Sequence, residues 1–577
     1  MEQDPRQVIY TNEARCRDCY RCVRVCPVKA IRVEDNQARV DDQRCIACGT
    51  CVRECPQGAK TYRKDTALAN EILSGKAVVA ASIAPAFAGV FEEWEYQRLP
   101  AALRRLGFRY VAETAIGAYL VARETASLLK GSERCHICTA CPAVVNYVEK
   151  YEKDKIESLV PVVSPMMAHA RHIRARLGND SKVIFIGPCA AKKTELARPG
   201  LQGLVDCVLT FEELDQLLEE HKIDLQTCEE SAFDEEPFGR ARLFPVEGGA
   251  AATSSLETDV LDDRLLFVSG FAEFKESLRA VDSREGQMVV EPLLCPHGCV
   301  NGPGIRREGN PFERRRKVIQ YARSRKPVQQ AEPPALDLFA TFQSRNVAGN
   351  DDVSQEQIRA VLEKTGKDRL EQQLNCGACG YSTCLDQAAA VVRKMAGIEM
   401  CIPYMRRLAE QRSDRIMETS PNGIVVLDQH LRIVNFNHAF EVMFRASPSL
   451  LGQHVSRITD PDPFERVVSG QSEMTDSLRE YPQYGLVVRA IVYALRDDHQ
   501  YVGMFINMTP GEENAERLKK VKDETVQQAQ ELYAHQIEMA KNFANFLGEY
   551  TAKGELLVNK LLEAVADADK SRDKKSS

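Results

Sequence analysis

The chain has 577 residues, of which 44% are hydrophobic and 28% charged, and its net charge is -7. That length exceeds one domain and points to about four, the composition excludes a fibrous or wholly disordered chain, and the acidic balance argues against a nucleic-acid partner. The opening MEQDPRQVIY lacks an apolar signal core. The longest apolar run, Ala77 to Phe91, is broken by Ser82 and Pro85 and is too short to span a bilayer, so a cytoplasmic protein with no membrane segment is expected. Twenty cysteines are present, and in a reducing compartment they read as metal ligands rather than disulfides.

Residues 1–66 form a small cysteine-rich unit with an internal repeat. Cys16, Cys19, Cys22 and Cys26 follow C-x2-C-x2-C-x3-C and are followed by Pro27. Cys45, Cys48, Cys51 and Cys55 repeat the spacing before Pro56. Soft thiolates on short loops suit iron–sulfur cubes. The pattern resembles bacterial two-cluster ferredoxins, in which the fourth cysteine of each run serves the other cluster. On that resemblance Cys16, Cys19, Cys22 and Cys55 hold one 4Fe-4S cluster, and Cys45, Cys48, Cys51 and Cys26 the other. Zinc is the competing reading. The module implies electron transfer and names no substrate.

From residue 75 to about 345 the pattern is mixed α/β. KAVVAASIAP and KVIFIGP read as buried strands, and FEELDQLLEEH as an intervening helix. Four segments carry chemistry: SIAPAF with Ala84, Pro85 and Ala86; Thr139-Ala140-Cys141-Pro142; Pro188-Cys189-Ala190-Ala191-Lys192-Lys193-Thr194-Glu195; and Glu291 to Gly304, EPLLCPHGCVNGPG. Together with VDCVLTFEEL they resemble the catalytic domain of iron-iron hydrogenases. The resemblance implies an H-cluster, a 4Fe-4S cube joined to a di-iron azadithiolate subsite carrying CO and cyanide. Cys141, Cys189, Cys295 and Cys299 would hold the cube, with Cys299 as the bridge. Lys192 would bind a cyanide ligand, a cationic donor to an anionic acceptor, with Glu195 orienting it. The backbone at Ala84, Pro85, Ala86 and Pro188 would line the pocket. The implied reaction is reversible splitting of H2 into protons and electrons.

Departures from the family pattern matter as much. Ala140 stands where productive hydrogenases have a proton-relaying cysteine, and a methyl group carries no proton. Thr125 and Leu128 occupy the places of proton-carrying glutamates on the helix TAIGAYLVARETASLL, with Glu124 one position off. Gly187 and Leu293 replace methionines. An alternative proton route through Cys138 and Glu247 is expected, against bland readings of a spare thiol and a structural carboxylate. These losses imply slow turnover, as in the sensory branch of the family. Cys207 and Cys228 read as structural thiols, and none of His136, His169, His172 and His297 as a metal ligand.

Residues 326–358 read as a linker or surface wrap. In 359–412, Cys376, Cys379, Cys384 and Cys401 follow C-x2-C-x4-C-x16-C, and CGACGYSTC resembles the 4Fe-4S motif of corrinoid iron–sulfur proteins, with zinc as the alternative. Its place in the chain suggests an electron outlet. Residues 413–510, from IVVLD and RIVNFN to LVVRAIVYAL and YVGMFINM, resemble a PAS domain. His430, His438 and His454 do not make a haem site. Residues 511–577 read as a long helix or dimeric coil with a disordered tail.

The expected whole is a multidomain α/β protein: ferredoxin-like module, hydrogenase H-cluster domain, small helical 4Fe-4S domain, α+β PAS domain and terminal helix. It would carry one H-cluster and three accessory 4Fe-4S clusters. Its expected partners are H2 and protons, a redox partner such as ferredoxin, maturation proteins, a downstream phosphatase or kinase regulator, and a second copy of itself. The leading function is a hydrogen sensor. The alternatives are a metabolic ferredoxin-linked hydrogenase and a non-catalytic iron–sulfur protein on the same fold.

Overall fold

The structure, a computed structural model, describes residues 7–34, 37–254, 264–283, 286–305, 309–325, 335–347, 353–495 and 499–509, with 531, 532 and 536. The expected helix at 512–566 therefore lies almost wholly outside the described residues. The fold divides into two units, Met1–Ile398 and Glu399–Ser577.

The first unit opens on the duplicated cysteine module. Each repeat carries a short helix, Arg21–Val25 or Thr50–Glu54, entered through a left-handed residue, Tyr20 or Gly49. The strand Ile9–Thr11 pairs antiparallel with Lys60–Tyr62 and closes the module end to end. The repeats match atom for atom at their fourth cysteines, where the Ala30 and Ala59 amides donate to Cys26 Sγ and Cys55 Sγ, each at 3.2 Å.

A four-stranded parallel sheet follows, in the order Tyr110–Glu113, Val79–Ile83, Lys182–Gly187, Cys207–Thr210. Its central strands are mostly apolar because both faces are covered, and every residue of Val79–Ile83, Ser82 included, is buried. A second parallel sheet orders Leu265–Ser269, Met288–Leu293, Cys135–Ile137. In open parallel sheets ligands gather outside the carboxyl ends of the strands. Here Val79–Ile83 delivers Ala84-Pro85-Ala86, and Lys182–Gly187 delivers Pro188, Cys189 and Lys192. Likewise Cys135–Ile137 delivers Cys138 to Cys141, and Met288–Leu293 delivers Cys295 and Cys299.

The cysteine module is bolted to this domain through Lys193, which is 1% exposed. Its ammonium bonds Asp65 at 2.8 Å, Glu213 at 3.0 Å and the Val208 carbonyl at 2.7 Å. At the opposite contact Gly49, with φ 73°, lies so close to Pro303 that a Cβ would sit 2.5 Å from its ring. Residues 335–347 wrap the surface, with Val163 N donating to Leu338 O and Ala340 N to Pro161 O. Helices Gln355–Lys364 and Cys384–Val392 follow, each opened by a capping box, Ser354 with Gln357 and Thr383 with Asp386.

The second unit holds a five-stranded antiparallel sheet in the order Ile433–Phe436, Gly423–Leu427, Gln500–Asn507, Leu486–Leu495, Met474–Tyr481. Its core stacks Phe440, Phe444 and Phe505 with ring centroids 4.7–5.5 Å apart. Buried Asn437 ties the entry helix to the sheet. Its side chain accepts from Ile424 N and Phe440 N and donates to Met417 O and Asn422 O. Among the described residues no helix is long and apolar enough to cross a membrane.

Candidate metal centre

The four strand-end loops of the central domain bring Cys141, Cys189, Cys295 and Cys299 together. Burial pushes the Cys189 thiol up to about 12, and charge at Cys141 adds to it while Lys192 opposes it. Burial likewise raises Cys295, with Cys189, Cys299 and Cys141 all contributing. Cys299 is raised by burial, then by Cys141 and Cys189. The Cys189, Cys295 and Cys299 thiols, all raised by burial and by neighbouring sulfurs, gain a reason to be thiolates only with a cationic group among them. Among the described residues no three His, Cys, Asp or Glu converge on a single-ion site. The thiolates of a cube each bind a different iron, so they stand further apart than four ligands of one zinc.

These cysteines open on a cavity of about 90 Å³, partly open to solvent. It is lined by Ala84, Pro85, Ala86, Pro188, Lys192 and Ala140 with Cys141, Cys189 and Cys299. Lys192 is 8% exposed and donates to Glu195 at 2.8 Å and to the Ala140 carbonyl at 3.3 Å. Ser164 Oγ donates to the same Glu195 oxygen at 3.0 Å, so the ammonium is aimed by a chain of buried partners. Leu293, at an expected methionine place, lines the cavity. So do Met166, Phe244 and Pro245, which the sequence reading did not single out.

A second cavity lies on the other side of Ala140. Cys138, Thr139, Thr125, Phe244, Ala251 and Glu291 line it, and Ala140 and Phe244 border both spaces. Burial pushes the Cys138 thiol up to about 12, and Glu291 adds to it. Glu291 is 7% exposed, and burial lifts its carboxyl to about 7 against the pull of the Ala251, Ala250 and Gly248 amides, with Glu247 raising it further. Glu291 also acts on Cys299.

The expected Cys138–Glu247 pair thus needs a middle member. Glu247 is exposed and accepts a hydrogen bond from Ser269 Oγ, and the carboxyl that faces Cys138 is Glu291. Reading Glu291 only as the first letter of a cysteine motif hid it. Glu124 and Leu128 are exposed and take no part in the cavity, whereas Thr125 lines it.

In the N-terminal module the cysteines act on one another across both repeats. Burial raises Cys22 to about 12; Lys60 opposes this, while Cys19, Cys16 and Cys55 add to it. Burial raises Cys51, with Cys45, Cys48 and Cys26 contributing. Cys141 acts on Cys48, so the second set of sulfurs is next to the central cavity's cysteines. Cys376, Cys379 and Cys384 lie in the first unit, and Cys401, buried, begins the second. Cys207 and Cys228 are buried and stand in none of these sets; their thiols donate to the Asp65 and Asp224 carbonyls.

Residues 77–303 match the family model for the iron only hydrogenase large subunit, C-terminal domain. Residues 8–56 match a 4Fe-4S dicluster domain, 372–403 a putative Fe-S cluster model and 411–479 a PAS domain. The chain is similar to the cytosolic Fe-S cluster assembly factor NAR1 of Eremothecium gossypii, 26% identical over 292 residues, covering 38% of this chain and 64% of that one. It is also similar to the NADP-reducing hydrogenase subunit HndD of Solidesulfovibrio fructosivorans, 26% identical over 305 residues, covering 42% of this chain and 52% of that one. Among solved structures, a HydA1 FeFe-hydrogenase variant from Chlamydomonas reinhardtii aligns at 20% identity and TM-score 0.39, covering 49% of this chain and all of that one. The chain spans less than two thirds of the length of these two curated relatives. It is a multidomain α/β, iron–sulfur protein with a hydrogenase-type domain, a two-cluster ferredoxin-like module and a PAS domain.

Proposed function

We propose that this chain is a slow iron-iron hydrogenase that senses hydrogen, oxidising H2 reversibly and passing its redox state through accessory 4Fe-4S clusters to the PAS domain. When bound, the di-iron group supplies the two-electron chemistry of H2. The chain's own residues do the rest. Cys141, Cys189, Cys295 and Cys299 hold the cube, and Lys192, aimed by Glu195, offers its ammonium to an anionic ligand in the cavity. Ala84, Pro85, Ala86 and Pro188 wall that cavity. The Ala140 methyl separates it from Cys138, so the short relay is interrupted. Protons leave instead from the cavity rim to Cys138, then Glu291, then Glu247 at the surface. Cys138 keeps its proton at neutral pH, and Glu291, poised near 7, both gives and accepts one.

The observation that carries the reading is the pairing of a buried, oriented Lys192 beside Cys299 with a methyl at Ala140: equipment for the cofactor without the fast proton relay. Output through a regulator such as a phosphatase or kinase, dimerisation, maturation by dedicated proteins and a cytoplasmic setting belong to the same proposal. A second reading, a non-catalytic iron–sulfur assembly factor, is favoured by the similarity to NAR1. Such a protein needs no cavity beside its cluster. Isotope exchange between H2 and D2O by the fully matured protein separates them. The proposal expects slow but measurable exchange; none after complete maturation supports the assembly reading.

A further inference from the structure

The cysteine loop Cys376–Cys384 is folded onto the N-terminal module, more than 340 residues earlier in the chain. Arg24 bridges them, donating to the Ala378 carbonyl at 3.3 Å and to the Cys19 carbonyl at 2.8 Å. Lys29 does the same, its ammonium bonding Gly380 O at 2.7 Å, Arg24 O at 3.0 Å and Val23 O at 3.1 Å. Gly380, with φ 94°, is pressed so close that a Cβ would meet Val23 Cγ1 at 3.1 Å and Arg24 N at 3.2 Å. Tyr381 follows it under the Lys29 ammonium, 5.8 Å from ring centroid to nitrogen.

Two cysteines from different motifs converge on this contact. Cys26 and Cys379 both stand near enough for their charge to act on Lys29 and on Tyr381. The Tyr381 hydroxyl is buried with no hydrogen-bond partner among the described residues, and Tyr381 as a whole is 5% exposed. A buried O–H left without a partner is costly to the folded state. With clusters loaded, the sulfurs of Cys379 and Cys26, whose charge acts on Tyr381, are candidate acceptors for it. At the other end of the same set, Cys48 is the neighbour of Cys141 in the central cavity.

We propose that the cluster held by Cys26, Cys45, Cys48 and Cys51 is the electrical junction of the protein, with the active-site cube against its Cys48 side and the C-terminal cluster docked at its Cys26 side. Tyr381 and Lys29 are the positioning residues of the second contact. Electrons for the Cys376–Cys384 loop therefore come through the N-terminal module rather than directly from the hydrogenase domain. Each transfer moves one electron: the junction cube is oxidised by one, the C-terminal cube is reduced by one, and no proton is needed. The electrons originate in the oxidation of H2 to two protons. Hydrogen bonds and charge near cluster sulfurs set their potentials, so Tyr381 and Lys29 tune both clusters at once.

The inference rests on the iron–sulfur part of the reading above and not on its hydrogen chemistry, so the test leaves hydrogen out. Full-length protein carrying all 4Fe-4S clusters but no di-iron unit is reduced chemically and followed by electron paramagnetic resonance, with iron counted for each sample. Removing the C-terminal cluster by Cys376→Ser, an exposed ligand, is expected to narrow the spin-coupled signal of the junction cluster. Tyr381→Phe, which keeps the ring, is expected to move two midpoint potentials together to more negative values and leave the third accessory cluster in place. Lys29→Met should move the same two, and Lys29→Arg should restore them. Unchanged spectra after Cys376→Ser, or a Tyr381→Phe shift confined to one cluster or absent, overturns the junction. Absence of the C-terminal cluster from the unmodified protein overturns it together with the cluster assignment, whereas clusters present but uncoupled overturn the junction alone.

Discussion

Glu291→Gln is the most informative single substitution. Burial holds the Glu291 carboxyl at about 7, against an ordinary 4.5. At 1.36 kcal/mol per pH unit, that rise corresponds to about 3 kcal/mol in favour of the protonated side chain. The folded state therefore binds a proton between pH 4.5 and 7 that the unfolded state has lost. This stabilisation is present below pH 4.5 and disappears as pH rises through 7. Glutamine is neutral throughout, and its single carbonyl oxygen can keep one of the two bonds that the separate Glu291 oxygens now accept from the Ala250 and Ala251 amides, at 3.1 and 3.0 Å. The variant should thus fold and lose that pH dependence. It should also lose a protonated-carboxyl infrared band that titrates near pH 7 in the parent. Because a positioned acid–base group contributes about 10²-fold or more to proton transfer, hydrogen turnover should fall by about that factor. A parent without a carboxyl titrating near neutrality, or a variant with undiminished turnover, would refute the proton route.

Glu247→Gln should lower the Glu291 titration point, since it removes the neighbouring charge that helps raise it, and the same infrared band reads the shift. Ala140→Cys places a thiol on the wall between the two cavities and should raise turnover well above the parent's; no gain would mean that proton delivery is not the slow step. Lys193→Met leaves Glu213 buried without its cation and Asp65 with Arg63 alone and should cost about 3–5 kcal/mol, read as a lower thermal midpoint. Asn437→Ala removes four hydrogen bonds tying the helix at Ile402–Thr419 and the helix at His438–Phe444 to the sheet of the second unit. A loss of roughly 2–3 kcal/mol is expected, measured by limited proteolysis.

The cysteine runs were legible in the sequence because a cube's ligands on one loop are set by local spacing. The strand-end loops were legible because KAVVAASIAP and KVIFIGP are apolar on both faces and stop at the residues that face the cavity. Glu291 escaped because a single carboxylate in an apolar strand takes its meaning from Cys138, more than 150 residues away. The division of space by Ala140 and Phe244 is likewise a property of packing between segments. The seating of Gly380 and Tyr381 on Val23, Arg24 and Lys29 had no sequence signal: the same glycines serve a loop that wraps its own cluster and a loop that docks on another. Lys193 illustrates the reverse case. It was quoted as part of a cofactor motif beside Lys192, yet its ammonium points into the buried Asp65–Glu213 joint and holds two parts of the first unit together.

The central claim is that the cavity beside Cys299 receives a di-iron unit that responds to hydrogen. Infrared spectroscopy of the fully matured protein, first under argon and then under H2, tests it most directly. The account predicts sharp CO and cyanide stretches whose positions change under H2 and return under argon, with the cyanide bands displaced in Lys192→Met. A matured protein that contains its iron–sulfur clusters but shows no CO or cyanide bands, or bands indifferent to H2, would contradict it.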